Sequence, residues 1–195
     1  MNRTELLAAW QREETQPFAG WDFFYLAGRM LEDPLPWDYI QRASGLMDGA
    51  VSVLDMDTGG GERLLDMRGH WPVRVVATEE WPPNLALATE RLTPLGVDVR
   101  DVRISDEEPL PFEDAEFELV LNRHSAFNAV ETARILTPGG SFLTQQVHGM
   151  WTHDLMAYFG AKPQWPNATP EQYVPRLRAA GLEIVDVQEW QGKLR

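Results

Sequence analysis

No cysteine occurs among the 195 residues, which excludes disulfides, thiolate nucleophiles and cysteine-ligated zinc. No run of about 18 apolar residues is present, so the sequence offers no membrane span. Residues 1–10 lack a basic stretch leading into an apolar core and do not read as a secretory leader. With no address of any kind, the cytoplasm is the expected compartment. Low-complexity tracts and internal repeats are missing as well. Positive charge is scarce: 17 Lys and Arg stand against 30 Asp and Glu, a net charge of −13. Such a surface repels phosphate backbones, and phosphate neutralisation dominates nucleic-acid affinity, so nucleic acid is an unpromising partner.

What is present suits one soluble domain with a sizeable core: 44% hydrophobic and 24% charged residues. The expected organisation is a single domain over 1–195, an N-terminal helical and aromatic extension at 1–48 preceding a core at 49–195. A helix is predicted over 4–14 with Thr4 as its cap, stopping before Pro17. The aromatic segment 18–25 reads as a packing plug or as a lid over a ligand, composition favouring the plug. A rigid turn at 34–37 leads into a helix over 37–47. Six β-rich runs follow, at 51–56, 73–78, 98–104, 118–121, 141–147 and 183–190. Helical segments lie between them, from 62, at 84–92, at 127–136 and at 170–180, the last closed by Gly181. Residues 138–140 are read as a turn. This alternation predicts an α/β fold, a doubly wound and mostly parallel sheet with helices on both faces.

In such sheets ligands sit at the carboxyl ends of the strands near the topological switch. Thr58-Gly-Gly-Gly61 follows the first predicted strand and opens a helix. It is either a tight turn or a ligand cradle. Its place between strand and helix, with an acid closing the next strand, favours the cradle. Glu79 ends the second strand, where an acid can accept hydrogen bonds from ribose hydroxyls. Asp106 and Glu107 follow the third, within reach of an adenine edge. A nicotinamide-type G-x-G-x-x-G fails because its third glycine falls on Leu64. A phosphate loop fails because Gly192-Lys193 is followed by Leu194. Acids at Asp55, Asp57, Glu62 and Glu79 disfavour phosphates. They suit a nucleoside that carries cations, as S-adenosylmethionine does.

Three longer motifs extend this. VLDMDTGGG at 53–61, LPFEDAEFELVL at 110–121 and RILTPGG at 134–140 resemble, in order, motifs of the class I S-adenosylmethionine-dependent methyltransferases of the type 11 kind. The likeness covers 46–147. Shorter runs at 20–23, 34–38, 81–84 and 122–124 are similar to an uncharacterised bacterial subfamily, which names no acceptor. The resemblance implies a Rossmann-like fold, S-adenosylmethionine as cofactor and methyl transfer to a small-molecule acceptor. The expected cofactor contacts are Asp55, Asp57, Thr58, Gly59, Gly61, Glu79, Trp81, Asp106, Glu107 and Asn122. Trp81 either flanks adenine or fills its proline-braced turn.

His124 and Arg123 are the expected catalytic residues. His124 is a general base or a structural histidine bonded to backbone. Arg123 holds an acceptor carboxylate or pairs with a neighbouring acid. Gln145 and Gln146 point to opposite sides of their strand, so at most one faces the site. His148, His153 and Asp154 read as surface residues, and no metal is expected.

The sequence departs from the family pattern twice. Asp57 stands where the first glycine belongs, and Asp57→Gly is expected to preserve or improve cofactor binding. The family closes its sheet with a further antiparallel strand, whereas this chain stops at Arg195. A truncated form is therefore expected, with 183–190 left as an open edge that recruits a second copy as a homodimer. Two alternatives stand beside methyl transfer to a small molecule. One is a non-catalytic binding protein on the same fold, and the other a methyltransferase acting on RNA or protein.

Overall fold

Strands form where the sequence stays apolar toward both faces. β1 (Ser52–Met56) is buried along its whole length, as the central strand of a parallel sheet must be. It lies between β2 (Arg74–Glu79) and β4 (Phe117–Arg123), with β3 (Asp98–Asp101) and β5 (Leu136–Gln145) outermost. The order is β3-β2-β1-β4-β5, parallel throughout. The structure, a computed structural model, describes residues 2–17, 24–105 and 107–193. The chain winds outward in opposite directions from β1, which makes its carboxyl end the switch point. Asp55 pairs with Ala77 on one side and Leu121 on the other, so the three central strands end level with one another.

Two cores follow from the alternation of side chains along the strands. Val53, Val75 and Leu119 face Ala43 and Met47 of α2 (Tyr39–Met47), Leu64 of α3 (Glu62–Asp66), and Ala88 and Leu92 of α4 (Pro82–Leu92). Leu54, Val76 and Val120 face Val102, Phe112 and Ile135, the last from α5 (Ala129–Ile135). Each fully buried leucine or valine contributes about 1.5–3 kcal/mol. The second and third family-like motifs meet in a lock. Arg134 donates to the carbonyls of Leu110 and Phe112 and to Asp114 and Glu131. This lock ties the segment before β4 to α5.

Caps set the helix ends. α1 (Arg3–Glu14) starts on Asn2, not Thr4, because Asn2 and Glu5 form a reciprocal capping box. α2 is capped by Asp38. α4 opens on Pro82, whose missing N–H costs nothing there. α7 (Pro170–Ala179) ends before Gly181, which takes a left-handed φ of 93°. A short α6 (His153–Tyr158) stands where no helix was predicted. Residues 138–140 are absorbed into β5, with an irregular register against Phe117 and Leu119.

Two expectations are overturned. Residues 183–190 form no strand: Val185 is 93% exposed, and the segment is tied down by Arg42–Asp186 and by mutual bonds of Asp33 and Lys193. Alternating apolar residues confer propensity, but a strand exists only where a ladder partner is met. The edge through which a second copy was expected to pair is thus absent there, and β5 is outermost. The plug also fails for the described part of the aromatic segment. Phe24 is 82% exposed, and Tyr25 turns outward to Glu13 and Arg29. Trp21 and Phe23 lie outside the described residues.

Candidate cofactor site

The loop after β1 is held by groups from three elements. Asp57 adopts φ 53°, a left-handed backbone that aspartate tolerates better than most residues. Its N–H donates to Thr78 Oγ1 at 3.2 Å, and the Thr58 N–H to the Thr78 carbonyl at 2.8 Å. Gly59, at φ 65°, donates to Glu79 Oε2 at 2.8 Å, while Trp81 N–H donates to Glu79 Oε1 at 2.8 Å. Glu79 is only 5% exposed. These two charge-assisted bonds fasten its carboxylate to the glycine turn. Arg91 of α4 donates to the Gly60 carbonyl at 3.0 Å and pairs with Glu62 at 2.6 Å. Gly61 sits at φ 81°, and a Cβ there would meet Leu92 at 2.9 Å, so both backbone and packing demand glycine.

Beneath this loop is a hollow lined by Tyr39, Asp55, Asp57, Thr58, Arg63 and Arg123. Its acids are crowded. Burial pushes Asp55 up to about 6, the nearby Glu79 charge adding to it and Thr58 and Arg123 offsetting part. Burial pushes Asp57 up to about 7, with Glu79, Glu80 and Asp55 adding repulsion and Ser125 easing it. Asp57 Oδ1 and the Tyr39 hydroxyl are buried without a hydrogen-bond partner. Negative charge buried at the end of a strand is costly where it is only partly compensated. A bound cation would relieve it, and the chemistry of this donor set therefore fits a cationic nucleoside.

The end of β4 is arranged differently. Asn122 donates to Ser125 Oγ at 2.6 Å and to the Ala126 carbonyl at 3.1 Å, and it accepts from Thr144 and Gln146. All four of its side-chain amide positions are used, so its side chain has no free hydrogen-bonding position for a ligand. His124 is left-handed at φ 59°. Trp37 Nε1–H can only donate, and it reaches Gln145 Oε1 at 3.0 Å. The Gln145 amine must then face His124 Nε2, 3.1 Å away, so Nε2 accepts and the imidazole proton lies on Nδ1. Burial, reinforced by Arg123 and Arg63, lowers His124 to about 4. In this arrangement Nε2 is occupied by the Gln145 amine, and the lowered pKa leaves the ring a weak base. Arg123 lies over the Tyr39 ring at 5.8 Å and makes no ion pair among the described residues.

The remaining expected contacts scatter. Trp81 is 62% exposed and serves as the N-cap residue of α4. Glu107 is exposed, its N–H bonded to Ser105 Oγ at 3.3 Å. Asp106 lies outside the described residues. Gln146 bonds to Asn122 and Gln145 to His124. Among the described residues no three His, Cys, Asp or Glu are placed to hold a metal ion, and no helix is long and apolar enough to cross a membrane. Sequence reasoning missed Tyr39, Arg63, Thr78 and Arg91. Only Tyr39 had a usable signal, as the first residue of a helix after a rigid Pro-Leu-Pro turn.

Comparison with known proteins agrees with this geometry. A family described as methyltransferase domain matches residues 54–144. The ubiquinone/menaquinone biosynthesis C-methyltransferase UbiE of Laribacter hongkongensis (strain HLHK9) is 30% identical over 129 residues, 60% of this chain. The match spans only 51% of that relative's length. Among solved structures, the YcgJ protein from Bacillus subtilis superposes with a TM-score of 0.59 at 20% identity, over 77% of this chain and 72% of that one. The [4+2]-cyclase SpnF does so with a TM-score of 0.56 at 23% identity, over 79% and 62%. At such identities the structures show a shared fold alone. Residues 54–144 thus match a methyltransferase domain, and the glycine loop with its carboxylate lies on a Rossmann-like fold shared with these structures.

Proposed function

We propose that this protein binds S-adenosylmethionine between the glycine loop and the hollow below it, and transfers the methyl group to a small-molecule acceptor. The observation that carries this is Glu79, a buried carboxylate fixed by the N–H groups of Gly59 and Trp81. Each of its oxygens keeps lone-pair capacity for a ribose hydroxyl. When bound, the cofactor supplies an electrophilic methyl on a sulfonium sulfur. The protein's share is placement. Glu79 and Gly59 would hold the nucleoside, while Asp55, Asp57, Thr58 and Gly61 frame the end where the cationic groups lie. Asp106 and Trp81 are assigned to the adenine side. His124, neutral and anchored through Gln145 to Trp37, shapes the acceptor side and does not remove a proton through Nε2.

The charge of −13 supports a small molecule over RNA, and the cytoplasm remains the proposed compartment. A second reading is favoured by the closed hydrogen bonding at the end of β4. A non-catalytic binding protein would use the same pocket without turnover, and the [4+2]-cyclase SpnF shares the fold, so the architecture alone does not dictate methyl transfer. Calorimetry with S-adenosylmethionine and S-adenosylhomocysteine separates these readings when combined with a transfer assay using radiolabelled methyl donor. Saturable binding of both at one site, with label passing to a small-molecule extract, is the expected result. Binding without transfer selects the non-catalytic protein. Absence of binding removes both.

A further inference from the structure

Residues 147–168 leave the carboxyl end of β5. There Thr144 pairs with Asn122, and Asn122 with Met56, so this segment rises from the end of the sheet at which β1 and β4 also stop. Its base is closed. The Gly149 N–H donates to the Ala168 carbonyl at 2.7 Å, and a Cβ on Gly149 would collide with the Trp165 carbonyl. α6 lies in the middle, and the Ala161 N–H ends it on the Met156 carbonyl at 2.8 Å. The segment is thus a built element, yet it keeps large apolar side chains in water. Tyr158 is 85% and Phe159 75% exposed, edge to face with ring centroids 5.4 Å apart, and Trp151, Leu155 and Trp165 are exposed as well. A contiguous apolar surface of this kind marks a place where something binds.

Charge narrows what that is. Apart from two histidines, residues 147–168 carry only Asp154 and Lys162, of opposite sign, in a chain that is 24% charged with a net charge of −13. The net charge opposes a second copy and an anionic surface alike. The adjoining strand ends are equally poor in spare polar capacity. Asn122, Thr144 and Gln146 bond one another, and Gln145 bonds Trp37 and His124. Arg123, the charged residue there, lies over the Tyr39 ring on the hollow instead. Resting on the proposed function, we infer that the methyl acceptor is an uncharged apolar molecule, a ring system or a hydrocarbon chain, received on the aromatic surface of residues 147–168. Burial of apolar area against Tyr158, Phe159 and Trp151 supplies the affinity. A charged analogue is rejected, because it loses water at these strand ends without gaining a partner.

The test uses a ring probe and a chain probe, 2-naphthol and 1-octanol, each beside its carboxylate counterpart, 2-naphthoate and octanoate. All four are titrated by calorimetry into protein loaded with S-adenosylhomocysteine. At least one alcohol should bind saturably, and at least about tenfold more tightly than its carboxylate. The double variant Tyr158→Ser, Phe159→Ser changes two side chains that stand in solvent. It should weaken binding of that alcohol by about tenfold or more, and hold S-adenosylhomocysteine within about twofold of wild type, which also reports that the fold is intact. Loaded protein that binds neither alcohol overturns the inference while the proposed function stands. Equal affinity for alcohol and carboxylate overturns it too, as does a double variant that binds the alcohol unchanged or loses S-adenosylhomocysteine to the same degree. Co-sedimentation with phosphatidylcholine vesicles that the double variant abolishes, without binding of either alcohol, assigns the surface to lipid and overturns it as well. If wild type does not bind S-adenosylhomocysteine, the proposed function fails and the inference falls with it.

Discussion

The loops that leave β1 and β4 begin level on neighbouring strands, yet they have opposite chemistry. After β1, backbone N–H groups and one arginine spend themselves on holding the loop, and Asp55 and Asp57 are left facing a hollow in which burial and neighbouring acids raise both. After β4, the side chains spend themselves on one another: Asn122, Ser125, Thr144 and Gln146 close a network, and Trp37, Gln145 and His124 close a second. The first loop is built to receive charge, while the second is built to stay in place. A polar residue at the carboxyl end of a parallel strand is therefore not a site residue by position alone. What decides is whether its hydrogen-bonding capacity is already used.

Breaking the first loop should have the largest effect. Glu79→Ala orphans the Gly59 and Trp81 N–H groups, at about 1–3 kcal/mol each. A loss of about 2–5 kcal/mol in denaturant unfolding is expected, together with at least tenfold weaker binding of S-adenosylhomocysteine. Unchanged stability would mean that the carboxylate does not fasten the loop.

Asp57→Asn sharpens the comparison in the opposite direction. Its folded-state pKa of about 7 lies above the ordinary 3.8, so the folded protein keeps a proton that the unfolded chain has released. The stability this group contributes is present below pH 4 and is lost as pH rises to 7. The ligand-free variant should therefore be more stable than wild type by about 2–4 kcal/mol at pH 8, with the gap closing toward pH 4. Unfolding curves at several pH values check this, and Asp55, raised to about 6 by burial, sets the background slope in both proteins.

The smallest effect belongs to the second loop. Trp37→Phe removes one donor to Gln145 and should cost about 0.5–1.5 kcal/mol. It frees the Gln145 amide to flip, so the His124 Nδ1–H preference seen by nitrogen NMR should weaken. A tautomer that does not respond would place its control elsewhere.

Much of the fold was legible because burial writes itself into composition. SVLDM, RVVATE and FELVLNR are apolar toward two faces, and the glycines after the first of them have no other use than a bend and a close approach. The link between Gly59 and Glu79 was legible too, because parallel strands 20 residues apart end level. The tail at 183–190 misled because β-propensity is local and pairing is not. The bonding of Asn122 and His124 was illegible for a related reason, since their partners on β5 lie more than 20 residues away.

By itself, then, the sequence determined the parallel sheet, its switch point, the glycine loop and the acid that answers it. Each of these follows from local periodicity or from a residue type with one physical use. Only the tertiary structure decided which polar groups remain available: Asn122 is consumed, His124 is held neutral, and Asp57, Tyr39 and Arg123 face one hollow unpaired. Availability is a property of neighbours, and the neighbours come from helices and strands that sequence distance keeps apart.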